Sequence, residues 1–354
     1  MAGPLTKYAF INAKLRGRIS RILPEEMFVQ LSRAPSLDAA LALLRDTAYA
    51  GLEGTYATTG DMKLAELELL KLEIALYTEL DLHVHQNSRP ILQALLTRYE
   101  IDNLKNGIRI YFDRQVRGRS VEAGIHYVLR ETILHPIPME VVVNAGDLDE
   151  IAGVCRGTPY GEIVRKYAHA VESEGSLFRL EVALDHAYYA RLLEAVEHLS
   201  AKDRHIARRL IGTEIDLQNI SWIMRFKRYY DLPLETVRSI LVPGGYSLRG
   251  LRVEELYGAS NMTALLQDFV KEQYPALSTL LSTPTADSAA RLRVLQQILT
   301  EIKRQEVQRI LAGYPFTIGI VLAYFFLKGD EMDRVRTLLN AKHYGRSSEP
   351  VGTT

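Results

Sequence analysis

One cysteine, Cys155, is the whole thiol content of the 354-residue chain, so no internal disulfide can form. Its neighbours Ile151 and Val154 are apolar, which assigns it the role of a small buried side chain. That usage suits a reducing cytoplasm. Net charge is missing too. The 43 Lys and Arg residues offset 43 Asp and Glu, so no global field draws the chain to nucleic acid or to an anionic membrane. Any binding surface must be local. The segment from Met1 to Arg21 carries Lys7, Lys14, Arg16 and Arg18 but no uninterrupted apolar run of signal-peptide length, which argues against secretion. The only membrane candidate, residues 310–327, is 18 residues long, the lower limit for a spanning helix, and Gly313 and Pro315 break it early. Its apolar part, Phe316 to Leu327, is expected to be a helix buried in protein.

Recognisable reaction chemistry is absent as well. No Gly-x-x-x-x-Gly-Lys-Ser/Thr loop occurs, and Pro243-Gly244-Gly245 has neither the lysine nor the spacing that cradles phosphates, so the chain is not expected to hydrolyse ATP. His83 and His85 stand two apart in a helical pattern and therefore do not share a face. His186, His198 and His205 follow no metal-ligand spacing, and Glu66, Glu68 and Glu73 read as a solvated helix face. No catalytic residue, cofactor site or metal ligand is assigned.

Helical periodicity is abundant. Leu64, Leu67, Leu70, Ile74, Tyr77 and Val84 form one stripe at spacings near three and four. Leu177, Leu180, Leu184, Tyr188, Leu192, Val196 and Leu199 form a second, and Leu292, Leu295, Leu299 and Ile302 a third. Apart from a short apolar run at Met139–Val143 there is no strand signal, and the expected class is all-α.

The prolines organise this helical sequence. Only three of the thirteen follow Leu or Ile, and each has Glu two positions on: Pro24 with Glu26, Pro138 with Glu140, Pro233 with Glu235. Proline fits the start of a helix, where its missing N–H is no loss, and a carboxylate there complements the helix dipole. A second signature sets an acid, an amide and an arginine at fixed spacing: Glu100, Asn103 and Arg109, then Asp216, Asn219 and Arg225. A degenerate third copy keeps the acid at Glu331 but exchanges the others, with Arg334 and Asn340. The copies recur at intervals of 116 and 115 residues. A weaker echo sets Asp38, Thr47 and Tyr49 against Asp149, Thr158 and Tyr160. Residues recurring in this way point to equal packing roles, with the acid and amide capping or cross-linking helices. Three helical-bundle repeats are expected, over 1–118, 119–230 and 231–345, with a disordered tail at 346–354. Connectors are expected at Arg114–Ser120, Tyr229–Pro233 and the turn at Pro243–Gly245.

Tyr8 to Arg18, Tyr99-Glu100 with Asn103 to Lys105, Glu214 with Asp216, Asn219 and Ile220, Leu241 to Gly245, and Ala323-Tyr324 with Leu327, Lys328 and Glu331 together resemble the family of C-type subunits, also called d-type, of the V-type/A-type ATPases. The order and spacing of these segments carry the resemblance over essentially the whole chain. It implies three bundles with pseudo-threefold symmetry forming a funnel. It further implies a non-catalytic central-stalk role on the cytoplasmic side of the membrane, without a membrane span. The implied partners are the rotor shaft subunits of D and F type in the funnel and the membrane proteolipid ring at its base. Basic residues Arg114, Arg117 and Arg119, and Arg225, Lys227 and Arg228, could meet acidic loops of such partners, although a solvated surface explains either cluster taken alone. The competing readings are an unrelated helical repeat scaffold and a helical enzyme, the latter without any convergent titratable spacing to support it.

Overall fold

The computed structural model describes residues 3–119, 124–229, 232–246, 255–258, 274–275 and 288–345, and every regular element among them is helical. In chain order the helices are α1 Pro4–Ile19, α2 Glu25–Arg33, α3 Leu37–Leu43, α4 Gly51–Thr59, α5 Met62–His83, α6 Arg89–Gln115 and α7 Met139–Asn144. They continue with α8 Leu148–Val154, α9 Gly161–Glu174, α10 Phe178–Glu197, α11 Ala201–Tyr229, α12 Leu234–Ile240, α13 Ser288–Ala312 and α14 Gly319–His343. A pattern of three shorter helices followed by two long ones recurs: α2 to α6 run 9, 7, 9, 22 and 27 residues, and α7 to α11 run 6, 7, 14, 20 and 29.

Local chemistry explains where these helices begin and end. Pro24, Pro138 and Pro233 are the N-cap residues of α2, α7 and α12, each followed by a first turn containing an acid. Ser36 caps α3 by accepting from the Ala39 amide at 3.2 Å, and Asp147 caps α8 by accepting from the Glu150 amide at 2.8 Å. Gly60 and Gly175 end α4 and α9 in the left-handed region, at φ 67° and 60°, which a residue with a Cβ adopts only with strain.

The chain divides into two compact units. One comprises residues 23–198 and 331–348, hence α2 to α10 and the last part of α14. Its core includes Phe28, Leu31, Leu41, Leu44, Tyr49, Leu52 and Ala65 packed with Met332, Val335 and Leu339. Helices α2 to α5 thus bury their apolar faces partly against side chains from the far end of the sequence. The same unit packs α10 on both α6 and α9, α8 on α9 and α7 on α6. Gly107 makes the last contact possible, because a Cβ there would lie 2.6 Å from Met139 Cε and 3.0 Å from Val142 Cγ1. The other unit comprises the described residues up to 22 and those between 199 and 330, and in it α11 packs on α13.

The sequence expectations need four corrections, the first of which is that Glu73, expected on a solvated helix face, is buried at 4% exposure because it lies on the side of α5 that packs into the core. On α5 the buried line is Met62, Ala65, Leu69, Glu73, Leu76 and Leu80; of the expected stripe only Tyr77 and Val84 are buried. The helix has leucine on more than one side, so spacing alone draws two stripes, and packing against α4 and α6 selects one. The run at Met139–Val143 is helical, because Pro138 caps it. Within 310–327, α13 ends at Ala312 and α14 begins only at Gly319, with Thr317 to Phe326 buried in succession. Among the described residues no helix is long and apolar enough to cross a membrane. The second stripe holds from Leu180 to Leu199, with Leu177 half-buried. In the third, Ile302 is buried and Leu299 half-buried, while the side chains of Leu292 and Leu295, the tail 346–354 and the centre of the Tyr229–Pro233 connector lie outside the described residues.

Candidate functional site

The recurring signatures converge on buried polar anchors. On α6, Glu100 is only 4% exposed and meets four groups. Its Oε2 accepts from the Leu134 and His135 amides at 2.9 and 2.7 Å, and its Oε1 lies 2.6 Å from His135 Nδ1 and 2.7 Å from the Tyr160 hydroxyl. A carboxylate withdrawn from water is tolerated when donors replace its hydration, as here. The loop that leads into Pro138 and the start of α9 are thereby tied to α6. Burial, with Glu100 beside it, raises the Tyr160 phenol above the ordinary tyrosine range.

One turn on, Asn103 donates from Nδ2 to the Leu129 carbonyl at 2.9 Å and accepts the Leu129 amide on Oδ1 at 2.8 Å. In the other unit Asn219, on α11, brackets Val242 in the same way, at 2.8 and 2.9 Å. Each amide satisfies both backbone groups of a buried loop residue. Arg109 reaches Glu181 at 2.6 Å, and Lys105 pairs with Asp185, so the signature arginine and a neighbouring lysine on α6 also hold α10. Burial raises the Asp185 carboxyl even against the opposing pull of Lys105. Asp216 is buried at 2% exposure, while the side chain of Arg225 lies outside the described residues.

The third copy is rebuilt. Glu331 accepts the Leu23 amide at 2.7 Å, immediately before Pro24. Arg334, at the amide's position, forms a bidentate pair with Glu25 at 2.5 and 2.9 Å, and its guanidinium carbon lies 3.7 Å from the Phe28 ring centroid. Asn340, at the arginine's position, donates to Glu66 at 2.8 Å. The exchange of residue types keeps the function of tying helices and changes the partner from a loop backbone to an acidic first turn.

The echo is structural too. Thr47 donates to the Leu44 carbonyl at 2.7 Å and accepts the Tyr49 amide at 3.1 Å; Thr158 does the same with Cys155 and Tyr160, at 2.7 and 3.2 Å. Both tyrosines are buried. Glu26 is exposed, Glu140 pairs with Arg130 at 2.8 Å and Glu235 with Arg238 at 2.6 Å, all at the surface. Of the expected basic clusters, Arg114 donates to the Ala145 carbonyl at 2.7 Å, while Arg117 and Arg119 share Asp113 at 3.0 and 3.8 Å. The side chains of Arg225, Lys227 and Arg228 lie outside the described residues. The sequence reading overlooked His135 and Gly107. His135 carries no periodic signal, but its place two residues before Ile137-Pro138 could have pointed to it. Among the described residues no three His, Cys, Asp or Glu side chains gather as a metal site requires.

Comparison with known proteins places these anchors in context. The pattern of the ATP synthase (C/AC39) subunit family matches residues 11–352. The chain is 24% identical over 343 residues to the C subunit of the A-type ATP synthase of Methanosphaera stadtmanae, covering 95% of this chain and 84% of that one. It is 23% identical over 335 residues to the C subunit of the Pyrococcus horikoshii A-type ATP synthase, covering 94% and 86%. With the C subunit of the Methanocaldococcus jannaschii A-type ATP synthase the identity is 21% over 352 residues, covering 96% and 83%.

Proposed function

The chain belongs to the ATP synthase (C/AC39) subunit family, and from that premise we propose that it is a non-catalytic central-stalk rotor subunit of a rotary V/A-type ATPase. In this reading it couples the rotor shaft to the membrane proteolipid ring for ATP-driven or ATP-producing transport of protons or sodium ions. The carrying observation is the match to that family over residues 11–352. The subunit stands on the cytoplasmic side of the membrane as a peripheral part of the complex.

The proposal includes three repeats, over 1–118, 119–230 and 231–345, related by pseudo-threefold symmetry and forming a funnel. Support comes from Pro24, Pro138 and Pro233 as three N-caps, from the paired brackets of Asn103 and Asn219, and from the recurring helix order. Shaft subunits of D and F type enter the wide opening, and the base rests on the ring. A torque coupler needs stiffness and broad interfaces rather than a nucleophile. Buried anchors such as Glu100 and Glu331, which join segments distant in sequence, supply that stiffness.

Capture of the purified chain on detergent-solubilised proteolipid ring, and separately on shaft subunits, at low and high salt, tests the reading. Binding to both partners, weakened by salt, is expected of polar contacts between rotor parts. Failure with both at every salt concentration would leave the helical scaffold with unrelated partners as the better account.

A further inference from the structure

We infer that Arg209 and Arg309, gathered on the buried carboxylate of Glu306, bind a carboxylate side chain of an acidic protein segment. The inference does not depend on the rotary reading.

The parts lie within helical reach of one another. On α13, Glu306 and Arg309 are three positions apart and share a face, as do Arg209 and Gly212 on α11. The two helices pack antiparallel, since Arg209 meets Glu306 while Glu214, further along α11, meets Lys303, earlier on α13. Glu306 is only 1% exposed. Its Oε2 accepts from Arg209 Nε at 2.7 Å, and its Oε1 accepts from Arg209 Nη2 at 3.0 Å and from Arg309 Nη1 at 2.6 Å. A carboxylate so buried needs its charge matched, and the fork of Arg209 already does that. The second cation is therefore surplus. The side chains of Arg209 and Arg309 are 31% and 53% exposed, and N–H donors remain on both guanidinium groups. Acids nearby on the two helices are engaged elsewhere: Glu214 pairs with Lys303 at 3.1 Å, Glu301 with Arg304 at 3.3 Å, and buried Asp203 accepts from Tyr8, Ser200 and the Ile318 amide.

The loop through Pro243–Gly245 supplies an aromatic wall. Asn219 brackets Val242 at its start, and at its end the Tyr246 amide donates to the Gly212 carbonyl at 3.2 Å. Position 212 admits no side chain, because a Cβ there would lie 2.9 Å from Tyr246 Cβ. Seated in this way, the Tyr246 ring is 43% exposed, and its centroid lies 5.7 Å from the Arg209 guanidinium carbon. Glu306 and Tyr246 hold Arg209 in place before any ligand arrives, so little rotamer freedom is lost on binding. One surplus positive charge and planar, forked donors match a carboxylate, whereas a phosphate monoester brings roughly twice the charge. With Arg309 and Tyr246 both open to solvent, the site encloses nothing. It suits a carboxylate carried on a protein segment that adds contacts around it, because a lone small anion would gain too little to be held.

Fluorescence anisotropy of a labelled hexaglutamate peptide titrated with the full chain tests the proposal, with hexaglutamine as the uncharged comparison and circular dichroism to verify folding of each variant. Binding of hexaglutamate alone, weakened by added salt, is expected. R309Q leaves Glu306 both of its bonds to Arg209 and should raise Kd about fivefold, the scale of one partly exposed ion pair, while R309K should stay closer to the native chain. Y246A should weaken binding as well. R156Q, with the same change in net charge at an exposed position in the other unit, should leave Kd unchanged. In an NMR spectrum of the isotope-labelled chain, the Arg309 Nε–Hε signal, identified by its absence in R309Q, should shift as peptide is added. No binding by the native chain, an equal loss in R156Q, or an unmoved Arg309 signal overturns the proposal. So does displacement of the peptide by an equal concentration of inorganic phosphate, which would assign the site to a phosphate group.

Discussion

Arg334 grips Glu25 in a two-pronged ion pair that spans 309 residues of sequence, with N–O distances of 2.5 and 2.9 Å. The same guanidinium stacks on Phe28, so one side chain joins the last part of α14 to both the first turn and the buried side of α2. Replacing Arg334 by Asn, the residue its counterparts carry, removes the pair and the stacking together. Asparagine is too short to reach Glu25. The R334N variant is expected to lose about 1–2 kcal/mol of stability, read as a lower urea midpoint, and R334K to lose less because one prong remains available. An unchanged midpoint in R334N would mean that this pair is idle.

Glu100 predicts a larger effect. In E100Q the amide nitrogen, placed at either carboxylate oxygen's position, would confront the Leu134 and His135 amides or the Tyr160 hydroxyl, all of which donate there, leaving buried donors unpaired. A loss of about 3 kcal/mol is expected by denaturant titration, against about 1 kcal/mol for Y160F, which removes a single hydroxyl donor. Equal losses in the two variants would show that the carboxylate does not organise the cluster.

Tyr127 makes stability depend on pH at the alkaline end. Its hydroxyl donates to Asp61 at 2.6 Å, and that bond, with burial, raises the phenol to about 12 from 10.0. The folded state therefore holds the proton more tightly than the unfolded state. The stabilisation is complete below pH 10.0 and is lost as pH rises through about 12. The stability difference between the native chain and Y127F should be constant at neutral pH and shrink across that window. A difference that stays flat up to pH 12 would contradict the assignment.

Cys155 is fully buried, and burial first, then the nearby Glu100 charge, raises its thiol to about 12. Alkylation by iodoacetamide at mildly alkaline pH should be negligible in the folded protein and rapid once urea unfolds it, because the thiolate is the reactive form. Fast labelling without denaturant would show that the end of α8 opens readily.

Much of the local structure was legible in the residues alone. Proline fixes φ and lacks a donor, so Pro24, Pro138 and Pro233 could announce three helix starts wherever they lay in the fold. The spacing of Glu100 and Asn103, repeated in Asp216 and Asn219, announced equal roles, since a side chain one turn from another projects to the same side of a helix. All-helical architecture followed from the period of the apolar residues. Tertiary structure decided which partners those residues met. It chose the Met62–Leu80 line on α5 over the leucine stripe beside it, because a helix apolar on several sides is oriented only by its neighbours. It also brought His135 and Tyr160 to Glu100, and Glu25 to Arg334. Those contacts join residues from 35 to 309 positions apart. Helical period and capping act within a few turns, and contacts at such separations form only when packed helices bring their faces together.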